Sequence, residues 1–204
     1  MITIVDYGLS NIGSLRNMFA RLHVETCVVS TAGGVMQAAK LLLPGVGHFG
    51  TAMKELKSRD LIGALTDKVM GERIPTLGIC LGMQLLGRFS EEGEAEGLGW
   101  LPAAARRFRW PDAAAERKIP NMGWRAITVR QPSPLFPDPE RPRRFYFVHG
   151  YHLVCDDPAD VLATAHYGMD FTAGVMRGNL FGTQFHPEKS HRFGMDLLAE
   201  FARV

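Results

Sequence analysis

The chain reads as an α/β protein: a mostly parallel central sheet covered by helices on both faces, with antiparallel strands added in its second half. Two observations carry this. Up to about Gly97, short apolar runs alternate with amphipathic stretches, and strands that alternate with helices build parallel sheets between two helical layers. After Gly97 the texture changes to short β-rich pieces, some separated by the proline-rich stretch Pro132–Pro142, as added antiparallel strands require.

Met1 to Val5 is a short buried strand, followed by a turn at Gly8 and a helix from about Asn11 to Leu22. Val24 to Val29 has the β-branched content of a second strand. Leu41–Leu43 is a third, stopped by Pro44-Gly45. Helical patterns run through Thr51–Lys57 and Leu61–Val69, then Thr76–Ile79 is a fourth strand leading into Cys80, and Leu81–Leu86 is helix. The later strands are Phe108–Trp110, Ala126–Arg130, Phe145–Val148, Val161–Ala165, Phe171–Met176 and Leu180–Gln184. A last amphipathic helix spans about Arg192 to Ala202, with Phe193, Leu197, Leu198 and Phe201 at helical spacing. Ala103–Ala105 and Ala113–Ala115 are too short to count as low-complexity tracts.

A chain of 204 residues suits one domain over 1–204 and buries enough surface to need no metal or disulfide. With 23 basic and 21 acidic residues the net charge is +2, which points away from nucleic acid. The nearest basic cluster, Arg106, Arg107, Arg109 and Arg117-Lys118, is broken by Trp110, Pro111 and Asp112 and is read as solvated loop charge. The start lacks a secretion leader, and no apolar run approaches the roughly 18 residues of a membrane helix. Cys27, Cys80 and Cys155 are odd in number and lack CxxC spacing, so neither a disulfide framework nor a zinc site is expected. A cytoplasmic protein without metal or organic cofactor follows.

The sharpest local signal is Gly78-Ile79-Cys80-Leu81-Gly82. A buried strand ends at a nucleophile and a helix begins beyond it, with glycines letting the two backbones approach. The helix start favours thiolate at Cys80, and the Leu81 N–H can face a developing oxyanion. Cys27 and Cys155 lack this setting and are read as small hydrophobes. A thiolate needs a base and the base an orienting group. Phe185-His186-Pro187-Glu188 supplies both, since residues two apart in extended backbone face one side.

Gly45-Val46-Gly47-His48-Phe49-Gly50 matches the dinucleotide fingerprint G-x-G-x-x-G. It follows the third strand instead of the first, starts at a proline, and has no acidic ribose partner at the end of a next strand. The alternative is a glycine-rich turn whose N–H groups complete an oxyanion hole beside the thiol.

Together, Pro44-Gly-Val-Gly47, Gly78-Ile-Cys-Leu-Gly-Met-Gln84 and Phe185-His-Pro-Glu-Lys-Ser190 resemble the motifs of the class I (triad) glutamine amidotransferases, over the whole chain. The resemblance implies a flavodoxin-like sheet and a Cys80–His186–Glu188 triad. That triad would hydrolyse L-glutamine through a γ-glutamyl thioester and release ammonia. It implies an oxyanion role for Gly45, Val46 and Gly47, in a turn that in relatives requires rearrangement. Asp6-Tyr-Gly-Leu-Ser-Asn11, Ser90-Glu-Glu92, Lys118-Ile-Pro-Asn-Met-Gly-Trp124 and Tyr146-Phe-Val-His-Gly-Tyr151 are similar to one branch, the glutaminase subunits of imidazole glycerol phosphate synthase. By that resemblance Gln84 and Glu92 hold the glutamine, with the Gly150–Tyr151 backbone nearby. Asn11, Trp124, Tyr146 and Lys189 would face a separate cyclase subunit, a β/α barrel that receives the ammonia. On the residues alone, Glu92 is equally a solvated loop charge and Trp124 an ordinary core side chain.

Four positions depart from the branch: Ser10 where glycine is common, Asn121 for histidine, Arg125 for asparagine and Gly150 for serine. All lie at the substrate rim or partner face. The ending His191-Arg-Phe-Gly-Met-Asp-Leu-Leu also resembles glutaminase subunits for surface-polysaccharide sugar amidation. A cysteine peptidase or γ-glutamyl hydrolase could share the elbow, and a non-catalytic nucleotide-binding module would tolerate its loss.

Overall fold

A computed structural model describes residues 1–111 and 116–204, so Asp112 and the Ala113–Ala115 run lie outside the described residues. The elements are, in order, β1 (Ile2–Val5), α1 (Ile12–Arg21), β2 (Thr26–Val29), α2 (Ala32–Met36), β3 (Leu41–Gly45), α3 (Phe49–Ser58) and α4 (Leu61–Thr66). They continue with β4 (Thr76–Cys80), α5 (Leu81–Leu85), β5 (Phe89–Ser90), β6 (Ala95–Glu96), β7 (Ala103–Arg107), β8 (Asn121–Val129) and β9 (Arg143–His149). Last come β10 (Tyr151–Cys155), β11 (Val161–His166), β12 (Asp170–Arg177), β13 (Leu180–Thr183) and α6 (His191–Arg203).

Among the described residues the main sheet has nine strands in the order β2-β1-β3-β4-β13-β12-β11-β8-β9. The ladders from β2 to β13 are all parallel. This is the flavodoxin-like arrangement, in which the first strand lies between the second and third. From β13 outward the ladders turn antiparallel. A four-stranded sheet, β10-β7-β5-β6, lies beside it.

Strands β1, β3 and β4 are buried along their whole length, so their alternating side chains feed a core on each face. Ile2 and Ile4 of β1 join Leu15 and Phe19 of α1 and Leu197, Leu198 and Phe201 of α6 on one side. Val5 and Leu43 join Phe49, Leu56 and Leu61 from α3 and α4 on the other. Helix, sheet and helix make three layers. Among the described residues no helix is long and apolar enough to cross a membrane.

Two expectations change. The third strand does not stop at Pro44: Pro44 and Gly45 pair in register with Ile79 and Cys80 of β4. β3 pairs with β1 only through Leu41 and Leu42, so the missing proline N–H faces a side where no ladder needs a donor. Phe108–Trp110 is not strand; the strand is Ala103–Arg107 just before it, paired with β10. Phe108 and Trp110 instead stack their rings 5.8 Å apart, with Phe108 edge-on to Phe171 at 5.4 Å. Packing of large rings outside the ladder won over their β propensity.

Candidate active site

β4 ends at Cys80 and α5 leaves at once, through a residue with φ of +53°, a conformation side chains with a Cβ rarely adopt. The flanking glycines are required by contact. A Cβ at Gly82 would lie 1.8 Å from the Leu43 carbonyl oxygen, and one at Gly78 would lie 2.7 Å from that of Gly82. Strand and helix pass so closely that only hydrogen fits, and the thiol is lifted to the end of the sheet.

There it meets the chain leaving β13. His186 Nδ1 lies 2.7 Å from Glu188 Oε1, and both side chains are almost fully buried. The extended spacing expected from sequence is not the reason they meet. Residues Pro187–Lys189 form one 3₁₀ turn that folds the carboxylate back under the ring. Ser190 Oγ secures this turn, donating to the His186 carbonyl at 2.6 Å and accepting from the Tyr146 N–H at 3.0 Å. The His186 N–H also donates to the Tyr146 carbonyl at 2.9 Å.

Among the described residues His186 Nε2 is buried without a hydrogen-bond partner, and the ring shares a cavity with Cys80. Burial pulls the imidazole pKa down, but the negative charge of the Cys80 thiolate and then Glu188 outweigh it and push it up to about 10. The sulfur lies 3.7 Å from Gln184 Nε2 and 4.0 Å from the Val148 carbonyl oxygen. A ring raised in this way favours the imidazolium, and a thiolate beside it is the form that attacks a carbonyl carbon.

The cavity holds about 240 Å³ and is lined by Val46, Gly47, Cys80, Leu81, Gln84, Glu92, Gly150, Tyr151, His186 and Lys189 from the expected set, with Val148 and His149 besides. Gly45 sits just behind, in register with Cys80. Glu92 is more than a solvated charge, since its Oε2 accepts from the Phe49 N–H at 2.8 Å at the start of α3. That bond presents the carboxylate to the cavity wall, where it suits an ammonium group.

Val46 does not supply an oxyanion donor as it stands. Its N–H donates to the Leu9 carbonyl at 2.8 Å, so only a reoriented peptide could turn it towards the sulfur. Gly47, with φ of +99°, makes the turn that a β-carbon would strain.

The remaining expected residues lie on the outer face. Trp124 is 38% exposed, so it is not a core side chain. Its ring stacks on His191 at 5.6 Å and meets Tyr146 edge-on at 6.2 Å. Lys189 Nζ reaches over Tyr146 at 6.0 Å, and Met122 beside them is 58% exposed. Asn11 is exposed and makes no cap with its side chain. Sequence reasoning missed Gln184 and His149. Gln184 stands two residues before His186, and His149 stands beside Gly150, so proximity to the motifs was their only signal. Among the described residues no cluster of three or more His, Cys, Asp and Glu side chains could hold a metal ion.

The sequence model of the class-I glutamine amidotransferase family matches residues 3–203. The imidazole glycerol phosphate synthase subunit HisH 2 of Pseudomonas aeruginosa is 44% identical over 100% of both chains. The corresponding subunit HisH of Bdellovibrio bacteriovorus is 43% identical over 100% of both. Among solved structures, a glutamine amidotransferase superposes with a TM-score of 0.75 at 17% identity over 100% of both chains. PurLQS from Thermotoga maritima also gives 0.75, at 19% identity over 99% of this chain and 97% of that one. At such identities the structural likeness speaks for the fold alone.

Proposed function

The chain belongs to the class-I glutamine amidotransferases, and from that premise we propose that it is the glutaminase subunit of an imidazole glycerol phosphate synthase in histidine biosynthesis. The whole chain acts as one glutaminase domain in the cytoplasm. The observation that carries the reading is the Cys80 thiol on its strained turn, facing a His186 whose far nitrogen is fixed by Glu188 at 2.7 Å.

The Cys80 thiolate attacks the side-chain carbonyl carbon of glutamine. The tetrahedral oxyanion forms beside the Leu81 N–H. As the C–N bond breaks, His186 gives its Nε2 proton to the leaving nitrogen, and ammonia departs. Water, giving a proton back to His186, then attacks the γ-glutamyl thioester. The C–S bond breaks, and glutamate leaves with thiolate and imidazolium restored. Gln84 and Glu92 hold the substrate, the carboxylate pairing with its α-ammonium group.

The ammonia acceptor is a separate cyclase subunit, read as a β/α barrel, seated on the Trp124–Tyr146–Lys189 face near Asn11. Because Val46 donates to Leu9, the isolated chain holds one oxyanion donor where two would serve. It therefore turns over glutamine slowly until the partner docks.

Glutamate release by the purified chain, with and without a cyclase subunit and its nucleotide substrate, tests this. Strong stimulation that Cys80→Ala abolishes is the expected result. No stimulation, with the thiol still labelled by a glutamine-analogue electrophile, would move the ammonia to another acceptor such as a sugar amidation partner. Glutamate release that survives Cys80→Ala would sink the mechanism.

A further inference from the structure

Behind the glutamine cavity a series of polar groups, buried at Asn121 and His149 and half-buried at Arg125 and Tyr167, can be wired in only one way. His149 ends β9 and pairs in register with Asn121, the first residue of β8. Its Nδ1 lies 2.7 Å from the Tyr151 carbonyl oxygen, which can only accept, so Nδ1 carries the proton. Its Nε2 lies 3.0 Å from Asn121 Nδ2, which can only donate, so Nε2 is bare. The Asn121 amide cannot turn over, because its Oδ1 accepts from Arg125 Nε at 3.0 Å and a guanidinium has no acceptor to offer instead. Arg125 lies over the Tyr167 ring, 4.4 Å from its centroid, and the Tyr167 hydroxyl donates to the Lys118 carbonyl at 2.8 Å.

The other end reaches the substrate. The Tyr151 carbonyl takes a second hydrogen bond from Gln84 Nε2 at 3.0 Å, and that same nitrogen donates to Gln184 Oε1 at 3.0 Å. Both Gln84 amide hydrogens are thus used inside the protein, and its oxygen is the group left for a ligand.

We propose that Arg125 and Asn121 are positioning residues for glutamine binding: they hold His149 as the neutral Nδ1–H tautomer, which fixes the Tyr151 carbonyl and so orients Gln84 with its oxygen towards the substrate. The proposal rests on the glutaminase reading and deepens it. The surroundings support a neutral ring. Burial first, with His152, His186 and Arg125 as the titratable or charged groups around it, pushes the His149 pKa down to about 3, although its bond to the Tyr151 carbonyl opposes this. The rings of Phe108, Phe147 and Phe171 close the remaining sides, with centroids 5.4, 5.7 and 5.1 Å away.

Arg125→Met frees the Asn121 amide to turn over, which lets His149 move its proton to Nε2 and sets a lone pair against the Tyr151 carbonyl. Two readouts on the full chain test this, the ¹⁵N NMR spectrum of His149 and the kinetics of glutamate release. Wild type should show the Nδ1–H tautomer alone and Arg125→Met a mixture. KM for glutamine should rise about tenfold, the worth of one hydrogen bond, with kcat within about twofold, and Arg125→Lys should restore much of the loss. An Nε2–H tautomer in the wild type would overturn the proposal, whether or not the variant folds. An unchanged KM in a folded Arg125→Met protein would overturn it too. A wild-type chain that releases no glutamate under any condition would defeat the glutaminase reading, while the spectrum would still judge the wiring.

Discussion

His186 is constrained at one ring nitrogen and left free at the other. Nδ1 meets Glu188 at 2.7 Å, whereas Nε2 has no hydrogen-bond partner among the described residues and shares the cavity with Cys80. The carboxylate therefore does two things: it selects the tautomer that keeps Nε2 available to the thiol, and it favours the charged ring. Glu188→Gln keeps the size and loses the charge, and its amide can turn an N–H towards Nδ1. The wrong tautomer would then be held and the pKa, now pushed up to about 10, would drop. We expect kcat for glutamate release to fall by about 100-fold or more, the usual share of a positioned acid–base group, with stability at neutral pH falling as well because the raised His186 pKa is lost. A variant that keeps most of its kcat would show that Glu188 only fills space.

At the scale of elements, the site depends on β9 lying beside the turn after β13. Ser190 Oγ, fully buried, bonds the Tyr146 N–H and the His186 carbonyl together. Ser190→Ala would leave the buried Tyr146 N–H unpaired, while the His186 carbonyl keeps the Lys189 N–H at 3.1 Å, costing about 2 kcal/mol, and would loosen His186. Chemical denaturation and glutamate release should fall together, and a stability loss without an activity loss would separate the turn from the chemistry. This is also where the sequence stopped being legible. The elbow could be read because its demand is local: Gly78, Cys80 and Gly82 meet one another's backbones within a single turn. The parallel half of the sheet could be read from its short apolar runs. By contrast, β7 is Ala103–Arg107 and β10 is Tyr151–Cys155, and neither alternates clearly, because each is made a strand by the other. Nor could the sequence place Asn121, Arg125 and Gly150 together. They read as separate rim positions, yet Asn121 and Arg125 are bonded and Gly150 joins the two residues, His149 and Tyr151, that they act upon.

For the whole molecule, these buried histidines set how stability varies with pH. His149 has a folded pKa near 3, through burial, and that of His152 is also lowered by burial, against an unfolded value near 6.5. Between those limits the unfolded chain binds more protons than the folded one, so stability falls as pH falls below about 6.5. His149 alone would then cost about 2 kcal/mol at pH 5. His186 acts in the opposite direction. Its folded pKa is raised to about 10 despite burial by the Cys80 thiolate and Glu188, but that thiolate has given up the proton an unfolded cysteine keeps to about pH 8.5, so the pair's contribution is lost only as pH climbs from about 8.5 to about 10. Stability should therefore peak near neutrality, with one limb assigned to each group. His149→Gln should flatten the acid limb, leaving the part due to His152. Cys80→Ala should flatten the alkaline limb, because the raised His186 pKa depends on the thiolate. Denaturant unfolding of the three proteins from pH 5 to pH 10 would check both. A wild-type profile level between pH 5 and 7, or an alkaline limb unchanged by Cys80→Ala, would mean that these charges are not balanced inside the fold as the geometry requires.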